Sequence, residues 1–150
     1  MAVRNIVKTG DEILLKVSRP VTEFDQKLHD LLDDMRETMR QAEGCGLAAV
    51  QVGLLRRVCV IDVGEGVIEL VNPEIITARG KQEEVEGCLS SPGDYAITRR
   101  PKFVRVKAVD RNNRPVTISG EGLLARALCH EIDHLDGILF RTKVVRECEK

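Results

Sequence analysis

The feature that most restricts the fold is the pentad His130-Glu131-Ile132-Asp133-His134. Two histidines four residues apart bring their ring nitrogens to a common point only on a helix, where residues i and i+4 lie one above the other. The pentad therefore demands a helix late in the chain, with its histidine face turned into the protein. On such a helix the pair can grip one divalent cation, and Glu131 stands beside it, placed to handle a water proton. The flanking residues agree. Leu123, Leu124, Ala127 and Leu128 continue the helical period and Gly137 follows it, which predicts a helix starting at Ser119 or Gly120. The remaining histidine, His29, reads as an ordinary solvated residue.

A second helix is expected over residues 22–43, where Phe24, Leu28, Leu31, Leu32, Met35 and Met39 line one face. Thr22 and Asp25 resemble a capping box at its start, and Gly44 is placed to end it. The two methionines fall at helical spacing and are assigned to core packing. Between the helices lie short β-branched runs. Val58-Cys59-Val60-Ile61 and Val67-Ile68-Glu69-Leu70-Val71 predict two strands around a glycine turn, the second closed by Asn72-Pro73. Residues 103–109 read as a third strand, joined through Asn112-Asn113 to Val116-Thr117-Ile118. Strands between two helices, without regular alternation, predict an α+β fold of small, mostly antiparallel strands around a central metal-binding helix.

The 150-residue length suits a single domain over residues 1–150, large enough for a core without disulfide staples. Its 23 basic and 24 acidic residues nearly cancel and are interspersed, which argues against a nucleic-acid footprint or a polybasic membrane patch. With no tryptophan, one tyrosine and three phenylalanines, a base-stacking surface is also excluded. The start lacks the apolar stretch of an export signal, and no segment approaches bilayer-spanning length, so the expected location is cytoplasmic. Five cysteines are an odd number for a disulfide framework and read as reduced thiols.

One of those thiols completes the metal set. A catalytic divalent site needs a third protein ligand and an open position, and Glu86-Gly87-Cys88-Leu89-Ser90 offers Cys88 beside a permissive glycine. Taken alone, Cys88 would read as a buried apolar thiol; the histidine pair changes that. A third segment, Gly44-Cys45-Gly46-Leu47-Ala48-Ala49-Val50-Gln51, is rich in small residues and carries one side-chain amide. The Gln51 amide can donate to a developing oxyanion, and the glycines at 44 and 46 let an extended ligand approach the backbone as an added strand. By itself the segment would pass for a packed loop after a helix.

Together, in this order and spacing, the three segments resemble the signature motifs of bacterial peptide deformylases, over almost the whole chain. The resemblance implies hydrolysis of the formyl group from N-terminal formylmethionine, with formate released. It implies a metal held by Cys88, His130 and His134, ferrous iron in most members, with zinc, nickel or cobalt able to occupy the same donors. Glu131 would move the proton, and Gln51 with the backbone N–H of Leu89 would stabilise the oxyanion. The backbone of Gly44, Cys45 and Gly46 would pair with the formylmethionyl peptide, and the ribosome near the nascent-chain exit would be a further partner. Val50, Cys129 and Tyr95 depart from the commonest family pattern. Cys45 and Cys129 would place extra thiols near the pocket and make it oxidation-sensitive. Two rival readings use the same pentad: a general peptidase cleaving internal bonds, which normally has a histidine or carboxylate as third ligand, and a noncatalytic module with a closed four-ligand site.

Overall fold

The computed structural model describes residues 2–148 and contains two α-helices and eight strands. In chain order these are α1 (Gln26–Gln41), β1 (Gly46–Ala48), β2 (Val58–Ile61), β3 (Ile68–Arg79), β4 (Gln82–Cys88), β5 (Ser91–Arg100), β6 (Phe103–Val109), β7 (Pro115–Glu121), α2 (Leu123–Leu135) and β8 (Val144–Glu147). The strands form two antiparallel sheets, ordered β1-β2-β3-β6-β7 and β4-β5-β8. This is the expected α+β class. Among the described residues no helix is long and apolar enough to cross a membrane.

The five-stranded sheet is covered on both faces, and strand alternation divides its side chains between the two helices. Cys59 and Ile61 of β2 join Leu70, Val104 and Val106 beneath Ala125, Leu128, Ile132 and Leu135 of α2. Val58 and Val60, pointing the other way, join Leu47 and Val71 against Leu28, Leu31, Leu32, Met35 and Met39 of α1. All four residues of β2 are thus buried, which is why its sequence is an unbroken apolar run. Met35 and Met39 pack in this core, as their spacing indicates.

Several boundaries differ from the sequence expectation. α1 begins at Gln26, not Thr22, because Asp25 is the N-cap and its carboxylate accepts from the Leu28 N–H at 3.1 Å. His29 is half-buried, and its Nε2 lies 2.9 Å from the Arg111 carbonyl oxygen. β3 continues through Asn72-Pro73, since a register shift between Val71 and Glu74 lets the pair sit in a bulge. Asn72 takes a φ of 54° there, and its side chain bonds both the N–H and the carbonyl of Val21. β7 runs on to Glu121, so α2 starts at Leu123; Gly122, at φ 58°, makes the turn between them. β4, β5 and β8 went unpredicted. They carry charged residues and, in β5, Pro92 and Gly93, because one face of this smaller sheet is largely exposed.

Candidate active site

α2 carries His130, Glu131 and His134 into the interior, at 7%, 4% and 0% exposure. Cys88 ends β4, and the hairpin to β5 brings it to the histidines. The Nε2 atoms of His130 and His134 are 3.2 Å apart, and Cys88 Sγ is 3.2 Å from His134 Nε2. All three potential ligand atoms lie within 4.8 Å of one another. Bonds of about 2.0–2.3 Å from one centre would hold tetrahedral ligand atoms about 3.3–3.6 Å apart, so this thiol and two imidazoles fit a single divalent ion.

His130 is oriented from behind. Its Nδ1 meets Glu86 Oε2 at 2.6 Å, which leaves Nε2 for the ligand position. Glu86 also accepts from Thr98 Oγ1 at 2.8 Å and from Arg100 Nη2 at 2.7 Å, while Arg100 Nη1 reaches across to Asp133. Burial alone would raise the Glu86 carboxyl, but hydrogen bonds from His130 and Arg100 outweigh it and hold the pKa at about 2. Burial, helped by the charge on His130, presses His134 down to about 3, favouring the neutral, ligating imidazole. Glu86, Thr98, Arg100 and Asp133 form a support that sequence reasoning missed. The available signal was that Glu86 lies two residues before Cys88 and so shares its strand face.

The 3%-exposed Arg100 joins two carboxylates on different elements, and removing it takes the guanidinium partner from both. Arg100→Met is therefore expected to destabilise the fold by about 3–5 kcal/mol. Denaturant unfolding of the two proteins checks this; a loss under about 1 kcal/mol would mean the network is dispensable.

Glu131 sits beside the ligands with Oε1 buried and unpartnered. Burial pushes its pKa up to about 7, against the pull of His130, so the carboxyl can take up and return a proton near neutrality. Gly46 allows this placement: a Cβ there would lie 2.3 Å from Glu131 Oε2. Gly46→Ala should push the carboxylate out of position and lower kcat by about 10²-fold with metal content unchanged, measured by steady-state kinetics beside metal analysis.

Gln51 occupies the short 3-10 turn Ala49–Val52 behind β1. Its Oε1 accepts from the Ala48 N–H at 3.0 Å, which turns Nε2 toward Ser90 Oγ at 3.1 Å and Cys88 Sγ at 3.6 Å. The amide is thereby oriented with its donors at the metal-ligand cluster. Leu89 follows at the corner of the hairpin, and its side chain occupies the space a Cβ on Gly44 would need, 2.6 Å from Leu89 Cδ1. The N-terminal segment ties both walls together, Val7 N donating to Gln51 O at 2.7 Å and Thr9 N to Ser90 O at 2.8 Å.

These groups surround one cavity of about 520 Å³. Gly44, Cys45, Gly46, Gln51, Cys88, Leu89, His130 and Glu131 all line it, and the fully buried His134 stands behind. The nine residues singled out from sequence thus lie in one place. Cys129 does not join them: it is buried in the core, and burial raises its thiol to about 11. The expectation of two accessible thiols near the pocket is corrected to Cys45 alone.

A Cys-His-His cluster with both imidazoles buried, an adjacent carboxyl and an aimed amide, opening on a cavity within an α+β fold, define a single-metal amide hydrolase. The family model for polypeptide deformylase matches residues 3–150. A peptide deformylase of Alkaliphilus metalliredigens is 57% identical over 147 residues, covering 98% of this chain and all of that one. One from Acetivibrio thermocellus is 58% identical over 146 residues, 97% of this chain and 86% of the relative. Among solved structures, a peptide deformylase from Legionella pneumophila aligns with a TM-score of 0.93 at 47% identity, covering 95% of this chain and 86% of that one. One from Thermotoga maritima aligns at 0.94 with 38% identity, over 96% and 99%. The chain belongs to the polypeptide deformylase family, metal-dependent hydrolases of N-formylated polypeptides.

Proposed function

We propose that this chain removes the formyl group from the N-terminal formylmethionine of new polypeptides, with Cys88, His130 and His134 as metal ligands and Glu131 as proton carrier. The observation that carries this assignment is the convergence of those four side chains, with the oriented Gln51 amide, at one cavity that Cys88, His130 and Glu131 line and His134 backs. When bound, the divalent ion supplies Lewis acidity, lowering the pKa of water from about 15.7 toward about 7 and polarising the formyl oxygen. Glu131 takes a proton from the water that attacks the formyl carbon. Gln51 Nε2 and the Leu89 N–H donate to the oxygen as it gains charge. Glu131 then delivers the proton to the departing nitrogen, the C–N bond breaks, and formate and a free α-amine leave. The backbone of Gly44, Cys45 and Gly46 pairs with the peptide as an added strand.

A thiolate with two imidazoles suits iron, cobalt, nickel or zinc and not magnesium or calcium. We take ferrous iron as the resident ion, in keeping with the family resemblance. Formylated chains emerge at the ribosome, so the cytoplasm near the exit is where this enzyme would meet its substrate. An anaerobic assay comparing formyl-Met-Ala, acetyl-Met-Ala and an unformylated peptide tests the assignment. Formate release from the first, with no acetate from the second and no new amine from the third, is expected; cleavage of internal bonds would favour the peptidase reading instead.

A further inference from the structure

We infer that residues 6–9 are a strap that sets the spacing between the two oxyanion donors, with the N–H groups of Val7 and Thr9 as its positioning groups. This rests on the deformylase reading above. In that reading one donor, the Gln51 amide, stands on the turn Ala49–Val52, and the other, the Leu89 N–H, on the corner between β4 and β5. The donors thus come from two separate walls of the cavity. Whether one oxygen can meet both at once depends on how far apart those walls are held.

The strap touches each wall beside its donor. The 2.7 Å bond from Val7 N ends on the carbonyl of Gln51 itself, and the 2.8 Å bond from Thr9 N ends on Ser90, the residue after Leu89. The Thr9 and Ser91 hydroxyls add a side-chain bond on the hairpin. N–H groups two residues apart share a side of an extended chain and are about 6.5–7 Å apart, so residues 7 and 9 measure off the gap between the walls. Inside, Gln51 Nε2 donates to Ser90 Oγ at 3.1 Å and closes the ring, with both side chains buried away from competing water.

Both ends of the strap are fixed. Upstream it is tied to α1, where the Arg4 N–H donates to Thr38 Oγ1 at 2.9 Å and Arg4 Nε to Asp34 Oδ2 at 2.9 Å. Downstream, Asp11 N donates to Lys8 O at 3.2 Å across a turn in which Gly10 takes a φ of 109°, and Leu14 then enters the core. Between these ties Ile6 and Lys8 line the reaction cavity. A chain anchored on both sides holds its two N–H groups in place, and through them the two walls.

Proline at position 9 cuts the strap from the hairpin with little other disturbance. Thr9 is the second residue of the Lys8–Asp11 turn, a place proline favours when a positive-φ glycine follows, so Thr9→Pro removes the bonds to Ser90 and Ser91 and keeps the turn. Val7→Pro repeats the cut at the other wall, and Asn5→Pro, which leaves both bonds, controls for proline itself. Steady-state kinetics on formyl-Met-Ala, with metal analysis, compare these metal-loaded proteins with the wild type, each also in a Gln51→Ala background. Thr9→Pro and Val7→Pro should each lower kcat about tenfold at unchanged KM and metal content, because the donors act in the transition state. In Gln51→Ala the same prolines should cost less than about twofold, since one donor is gone and no spacing is left to set. Asn5→Pro should keep the wild-type kcat. Wild-type kcat in Thr9→Pro, or an equal loss in both backgrounds, overturns the proposal; the second result would mean that the strap only stabilises the fold. Absence of formate from formyl-Met-Ala in the wild type would instead refute the underlying deformylase reading.

Discussion

Glu131→Gln should retain one metal ion per chain and lose about 10²–10⁴-fold in kcat, the range that a positioned general acid–base contributes. Glutamine keeps the shape that fits against Gly46, so the cavity and the ligands need not move. What disappears is, among the described residues, the one carboxyl beside the cluster that can shuttle a proton: Glu86 is tied to His130, Thr98 and Arg100 and held near pKa 2, and Asp133 is held by Arg100. The same substitution removes a buried carboxylate with an unpartnered oxygen, so the variant should unfold at no lower denaturant concentration than the wild type. Steady-state kinetics, metal analysis and a urea curve on one preparation check all three. Wild-type turnover in this variant would remove Glu131 from the chemistry.

Cys88→Ala should have a comparably large effect by a different route. It deletes one of three ligands, and metal affinity should fall well beyond the 10–100-fold lost when a supporting group behind a ligand is removed. Stability reports this independently of turnover. A ligand present at about 100 times its Kd adds about 2.7 kcal/mol to the folded state, which for a chain of this size is a rise of roughly 5–10 °C in Tm. Chelation should therefore lower the wild-type Tm by about that amount and leave the Tm of Cys88→Ala nearly unmoved. Equal chelator sensitivity in both proteins would mean that the thiol is not a ligand.

The histidine pair was legible from sequence because its spacing left a local mark, whereas Cys88 stood out only beside that pair and Gln51 only through the family resemblance. The pentad required a helix, the glycines of residues 44–46 marked a close approach, and Cys88 sat in a short glycine-containing motif. The two helices and β2 were legible because they are buried on one or both faces. β4 and β5 were not, although they deliver Cys88: only part of their surface is covered, so Gln82, Glu83, Glu84 and Asp94 dilute any strand period. Asn72-Pro73 and the segment from Ser119 to Glu121 misled for the converse reason, since local turn and helix signals were overridden by pairing of β3 and β7 with β6. The clamp of Arg100 on Glu86 and Asp133 links residues 14 and 33 positions apart across three elements. No local pattern encodes it, and only the topology brings it together.

The most direct test is an anaerobic titration of the metal-free protein with ferrous iron, following formate release from formyl-Met-Ala. Activity should rise in proportion to added metal and break at one equivalent per chain, and Cys88→Ala should give no such break. Full activity without metal, or the same one-equivalent break in Cys88→Ala, would contradict the Cys88-His130-His134 centre.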